Sequence, residues 1–271
     1  MLNFLPSNVA VPRPGRMDGR RVLVVKTERH DDAFAGPSPE ATMSLLFARE
    51  GARVAIADAD ERVVMETVDR IRSDGGDAYT IGADLAFEAD AGWMMREACK
   101  ALGGRLDGLV LNAAGGRNVE PHQLDAQEWT RIFDLNVRGP MLCCREALSN
   151  FRDGGSVVFT ASMDGPGASR KRMAYDLVGA AIVGLMRNVA AEGASRSIRA
   201  NLVYSGPQCA LPRFGLDAYA HFDQDRMAPG NRAAAAAIAN AALFFLSDES
   251  AGVTAQILTV MHGHDPLSVA G

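Results

Sequence analysis

A serine and a tyrosine thirteen residues apart, Ser162 and Tyr175, are the best chemical candidates in this 271-residue chain. A phenol with the ordinary pKa of about 10 is ionised in about one molecule in a thousand at neutral pH. That sets roughly 4 kcal/mol against its acting as a base through tyrosinate. A neutral phenol beside a hydroxyl still donates hydrogen bonds to a carbonyl oxygen on which charge develops. The pair therefore suits reduction of a carbonyl, or a non-redox addition, elimination or cyclisation on one, better than oxidation of an alcohol. Four residues beyond the tyrosine stands Gly179, which brings no cation. Arg170, Lys171 and Arg172 precede the tyrosine. With a helix opening near Tyr175 they fall on the entering loop and read first as a solvated basic turn.

The elements that must position these residues follow from local pattern. SVVFTAS, ending at Ser162, reads as a buried strand, and the apolar run from Tyr175 to Glu192 as a long helix. RVLVV from Arg21 predicts a central parallel strand. A helix follows, with Ser38 as N-cap and Pro39 in its first turn. ARVAIADAD predicts a strand ending at Asp58, residues 61–73 an amphipathic helix, and DAYTIGADLA a strand ending at Asp84 and Leu85. A helix from about Glu88 to Leu102 leads into the strand LDGLVLN, and one helix is expected over Trp129–Leu148. IRANLVYS and VTAQILTV supply the last strands around the helix NRAAAAAIANAALFFL.

The Ser-x12-Tyr spacing, with the serine ending a strand and the tyrosine opening a helix, resembles the active-site segment of the short-chain dehydrogenase/reductase family, over roughly residues 18–264. The resemblance implies an α/β fold with a single Rossmann-like doubly wound parallel sheet flanked by helices on both faces. An irregular arm over residues 1–17 and the domain over 18–271 complete the expected layout. The family implies NAD(P)-dependent redox chemistry on a small carbonyl or alcohol, with Ser162 and Tyr175 catalytic. Asn136, in Asn-Val-Arg-Gly, matches the asparagine that relays protons towards a lysine, and that lysine is Gly179 here. Asn112-Ala113-Ala114-Gly115 is similar to the family's Asn-Asn-Ala-Gly, Asp84-Leu85 to the pair bordering the adenine, and Ser205-Gly206-Pro207 to its Pro-Gly loop. These make Asn112, Ala113, Ala114, Asp84, Leu85 and Gly206 cofactor-binding candidates.

The first loop departs from the family. A dinucleotide-binding turn needs several glycines so that the backbone lies against a pyrophosphate at the helix N-terminus. KTERHDDAFAGPSP offers only Gly36, among Glu28, Asp31 and Asp32. Asp58 reads equally as a ribose-binding carboxylate and as a turn former. In the first role it favours NAD over NADP. The expected cofactor is NAD or NADP, or none at all. Thr27 with Phe34-Ala-Gly36 also resembles the loop of halohydrin dehalogenases, so a dehalogenase-like, nicotinamide-free enzyme stays open. So does a non-catalytic subunit pairing with an active relative.

Composition narrows the partners. A net charge of −5 provides no general field for polyanions, which disfavours nucleic acid. Cys99, Cys143, Cys144 and Cys209 have no metal-ligand spacing, and the adjacent pair reads as core thiols. No apolar run of about 18 residues argues for a membrane span, and residues 1–16 lack a signal peptide's pattern. The expectation is a cytoplasmic protein with a small-molecule substrate. The family's helix interfaces imply a homodimer or homotetramer.

Overall fold

The computed structural model describes residues 15–26, 38–113, 122, 124–162, 173–205 and 231–260, with side chains described except at 162, 173–176, 205 and 231–234. Seven strands form one parallel sheet: β1 (Arg21–Lys26), β2 (Arg53–Asp58), β3 (Ala78–Gly82), β4 (Leu106–Asn112), β5 (Phe151–Ser162), β6 (Arg199–Ser205) and β7 (Ile257–Val260), in the order β3-β2-β1-β4-β5-β6-β7. Parallel strands covered on both faces need apolar residues on both. In β1, Leu23 and Val25 enter the core on one face, and Val22 and Val24 the core on the other. The helices are α1 (Pro39–Arg49), α2 (Glu61–Ser73), α3 (Glu88–Leu102), α4 (Ala126–Phe133), α5 (Gly139–Asn150), α6 (Met173–Gly193) and α7 (Asn231–Leu246). The core of α3, α5 and α6 lies on one face and that of α1, α2 and α7 on the other.

The turn chemistry sets the helix starts. Ser38 caps α1 by accepting from the Ala41 N–H at 3.2 Å, with Pro39 where no intrahelical N–H is needed. Asp60 caps α2 in the same way, through the Arg62 N–H. Two expectations need correction. β3 ends at Gly82, and Asp84 and Leu85 lie in the following turn, where Phe87 N–H bonds the Asp84 carbonyl. The single helix expected over Trp129–Leu148 is two helices around a π turn, Asp134–Arg138. Pro140 cannot donate to the ladder, and Gly139 N–H instead reaches back five residues to the Asp134 carbonyl.

Cys143 and Cys144 lie in the core. Burial pushes the Cys143 thiol up to about 12 and raises Cys144 as well, so both stay protonated. Leu177–Arg196, running from α6 into the short 3-10 turn after it, is long and apolar enough to cross a membrane by length and composition. Its Val178, Ile182, Met186, Val189 and Ala190 are buried in the core beside β5 and β6. That packing accounts for the apolar face turned to the sheet.

Candidate functional site

The strand order reverses at the β1/β4 boundary, and ligands of open α/β sheets bind in the crevice at the carboxyl ends of the strands there. Lys26 of β1 stands opposite Asn112 of β4, and Asn112 opposite Thr160 of β5. These three residues form the floor. Asn112 Oδ1 accepts from Thr160 Oγ1 at 2.7 Å, and Asn112 Nδ2 donates to Glu40 Oε1 from the first turn of α1. Glu40, Asn112 and Thr160 are all buried, and the polar chain between them crosses from helix to two strands. Ala113 continues the edge, its N–H bonded to the Thr160 carbonyl at 2.8 Å.

To one side lies the end of β2. Asp58 is buried, with Oδ1 accepting the Asp60 N–H at 2.8 Å and Oδ2 lying 3.4 Å from Lys26 Nζ. The turn-forming role of this aspartate is thus realised, and it also pairs with the half-buried Lys26. Asp84 Oδ1 accepts from Ala86 N–H at 3.0 Å, and Asp84 N–H donates to Asp90 Oδ2 at 2.9 Å. Leu85 is buried against the start of α5. A Cβ at Gly139 would lie 2.8 Å from the Leu85 Cβ, so this approach requires glycine.

To the other side, Ser162 closes β5 opposite Ser205, and Tyr175 stands third in α6. The side chains of Ser162 and Tyr175 lie outside the described part of the structure, as do Gly36, Ala114, Gly206 and the 170–172 basic turn. Asn136 lies in the π turn, fully buried, with Nδ2 donating to the Ile132 carbonyl at 2.8 Å. Gly179 is buried, and its carbonyl accepts from Tyr204 Oη at 2.8 Å. The Tyr204 ring, 1% exposed, rises from β6 to the second turn of α6, one turn beyond Tyr175.

Sequence reasoning missed Lys26, Glu40, Thr160 and Tyr204. A charged residue directly after RVLVV and an acid in the turn after Gly36 were visible signals for the first two. Among the described residues no cluster of three or more His, Cys, Asp or Glu could hold a metal ion.

A dinucleotide fits this crevice unevenly. At the adenosine end, Asp58 Oδ2 is buried without a hydrogen bond among the described residues, an acceptor suited to a ribose hydroxyl. Small Ala113 permits close approach. At the phosphate end, Glu40 brings a negative charge of its own.

Comparison with known proteins follows the same lines. A family model described as enoyl-(acyl carrier protein) reductase matches residues 41–265. The chain is 33% identical over 230 residues to a Xanthobacter autotrophicus protein named inactive 2-(S)-hydroxypropyl-CoM dehydrogenase 2, covering 82% of this chain and 98% of that one. It is 32% identical over 224 residues to 2-(S)-hydroxypropyl-CoM dehydrogenase 3 of the same organism, covering 79% and 88%. A Burkholderia cenocepacia short chain dehydrogenase solved in complex with NADP superimposes with a TM-score of 0.75 at 25% identity, over 92% of this chain and 98% of that one. A short chain dehydrogenase from Mycobacterium smegmatis gives 0.74 at 26% identity, over 93% and 95%.

Proposed function

The chain belongs to the short-chain dehydrogenase/reductase family of oxidoreductases, and on that premise we propose that it reduces a small carbonyl substrate with a weakly held nicotinamide cofactor. The observation that carries this reading is the placement of Ser162 at the end of β5 and Tyr175 in the first turn of α6, at the carboxyl edge beside the switch-point crevice. Asp58, Asp84, Leu85, Asn112 and Ala113 would hold the adenosine half, with Gly36, Ala114 and Gly206 on the flanking loops. Asp58 favours NAD, but its pairing with Lys26 moderates that preference. The cofactor, when bound, supplies the hydride to the carbonyl carbon.

In this reading Ser162 hydrogen-bonds the substrate oxygen, and Tyr175, acting as the phenol, donates a second hydrogen bond to that oxygen and then its proton. The phenolate so formed is reprotonated from water, because Gly179 offers no ammonium and Asn136 has no lysine to relay to. The reverse direction begins from tyrosinate and is the more impaired of the two. Exposed Met141 on α5 and Leu177 on α6 support a homo-oligomer through these helices, with size-exclusion chromatography as its check.

Titration with NADH and NADPH, followed by nicotinamide fluorescence and calorimetry, tests the proposal. Saturable binding, then cofactor oxidation with a member of a small-carbonyl panel, is the expected result. A second reading, a catalytically silent subunit, draws on Gly179 and on the likeness to a relative whose name calls it inactive. Absence of binding up to millimolar cofactor would replace the first reading with the second.

A further inference from the structure

The carboxylate at the phosphate end of the crevice assigns a role to Glu40 that lies outside the reaction just described. Glu40 is the second residue of α1, the helix that opens on the switch point between β1 and β4. Helix N-termini there receive phosphate because their first amides are unpaired and their dipole is positive. In α1 those amides are largely committed. Pro39 has none, and Ala41 N–H is taken by Ser38 Oγ at 3.2 Å. The positive end of the dipole already has a negative charge in its first turn.

That charge is not a solvated one. Glu61 in the first turn of α2 and Glu88 in that of α3 are exposed and Asp90 is half-buried, whereas Glu40 is 2% exposed and bonded to Asn112, which is bonded in turn to Thr160. The hydrogen bonds hold the carboxylate over the floor of the crevice. Lys26, the charged group nearest along the floor, is directed to Asp58 at 3.4 Å, and that pair is neutral as a unit. Among the described residues no cation lies within ion-pair distance of Glu40, and Asn112, which bonds it, is neutral.

We propose that Glu40 is an internal anion that occupies the phosphate-binding end of α1 and holds the chain's affinity for dinucleotides low, making it the residue that sets cofactor affinity. This rests on the dinucleotide crevice of the proposed function. Two like charges about 6 Å apart at the protein surface repel strongly enough to change affinity by about tenfold to a hundredfold. Removing the charge without removing the acceptor for Asn112 should recover that factor.

The test is calorimetric binding of ADP-ribose, which carries the pyrophosphate but no nicotinamide, and of adenosine, which carries neither. Wild type is compared with Glu40→Gln, and with Glu40→Gly and Glu40→Ser in case the glutamine variant does not fold, each first shown to keep a cooperative melting transition. The expected result is an ADP-ribose affinity about tenfold or more above wild type in a folded variant, with adenosine unchanged. Equal or weaker ADP-ribose binding, an equal gain for adenosine, or no binding by any folded variant would overturn the assignment. The two readings fail separately. Wild-type NADH binding and turnover with no gain in the variants removes the role of Glu40 alone. A gain in ADP-ribose affinity without turnover on any carbonyl removes the oxidoreductase reading alone.

Discussion

Replacing Gly179 by lysine puts a long ammonium side chain at a buried position of α6 whose backbone carbonyl accepts from the Tyr204 hydroxyl. Crowding a packed site costs about 1–3 kcal/mol, and desolvating an ammonium without a partner adds several more. Tyr204→Ser by itself removes a fully buried ring and costs about 3–5 kcal/mol, as large-to-small changes do. If the two sites were independent, the double variant would lose about 6–10 kcal/mol, most of the 5–15 kcal/mol that stabilises an ordinary domain, and would not fold. If the ring instead fills the space a residue-179 side chain needs, the lysine stem enters the volume vacated by the ring. The double variant then lies within about 3 kcal/mol of wild type. At about 2–4 °C per kcal/mol for a chain of this size, that is a fall in Tm of about 12 °C or less. The assay is thermal unfolding of wild type, both single variants and Gly179→Lys/Tyr204→Ser. A double variant that is the simple sum of the singles, or one that is unfolded, refutes the idea that glycine on α6 and tyrosine on β6 are a matched pair.

Two further outcomes follow from the ionic groups. Lys26→Met leaves the Asp58 carboxylate buried without its cation and should lower stability by about 3 kcal/mol, while Lys26→Met/Asp58→Asn recovers most of the loss in the same melting assay. Equal loss in the single and double variants would show that the pair is not coupled. The Arg16 side chain bonds Glu50 and its backbone N–H adds to it, holding the carboxyl of Glu50 below its usual range. A carboxyl depressed in the folded state stabilises above its unfolded pKa and loses that contribution as pH falls through the folded value. Arg16→Ala should therefore lower Tm slightly near neutral pH, by about 2 °C at most for so exposed a pair, and the difference should vanish as pH falls through the folded-state value of Glu50. A difference that persists in acid would place the effect of Arg16 in packing instead.

The architecture was readable because its signals are local. β-branched runs mark β1 and β2, Ser38-Pro39 marks the start of α1, and a 3.6-residue apolar period marks α2. Where the reading slipped, the deciding contact was still short-range but of a kind that pattern does not report. Pro140 splits the Trp129–Leu148 run because a missing N–H shifts the ladder to a five-residue step. β3 stops at Gly82 because the Asp84 carboxylate and carbonyl both bond forward into the turn.

The crevice floor was hidden for a different reason. Glu40 and Asn112 are 72 residues apart, and they meet only because the sheet order sets β1 beside β4 with α1 above them. Tyr204 and Gly179 meet across a helix and a strand in the same way. A glycine in place of a lysine reads, in sequence, as a lost function. In the structure its backbone carbonyl is the acceptor for the hydroxyl of a buried tyrosine. An acid in a first helical turn reads as an ordinary dipole partner until its burial shows that it faces the crevice and not the solvent. Glu40 and Gly179 both lie near the sheet's carboxyl edge, and each is hydrogen-bonded into the surrounding fold. Decay by random substitution leaves buried charges unpartnered and glycines beside voids. Here the acid accepts from Asn112 and the Gly179 carbonyl accepts from Tyr204, so both positions are hydrogen-bonded into the fold, as the role proposed for Glu40 requires.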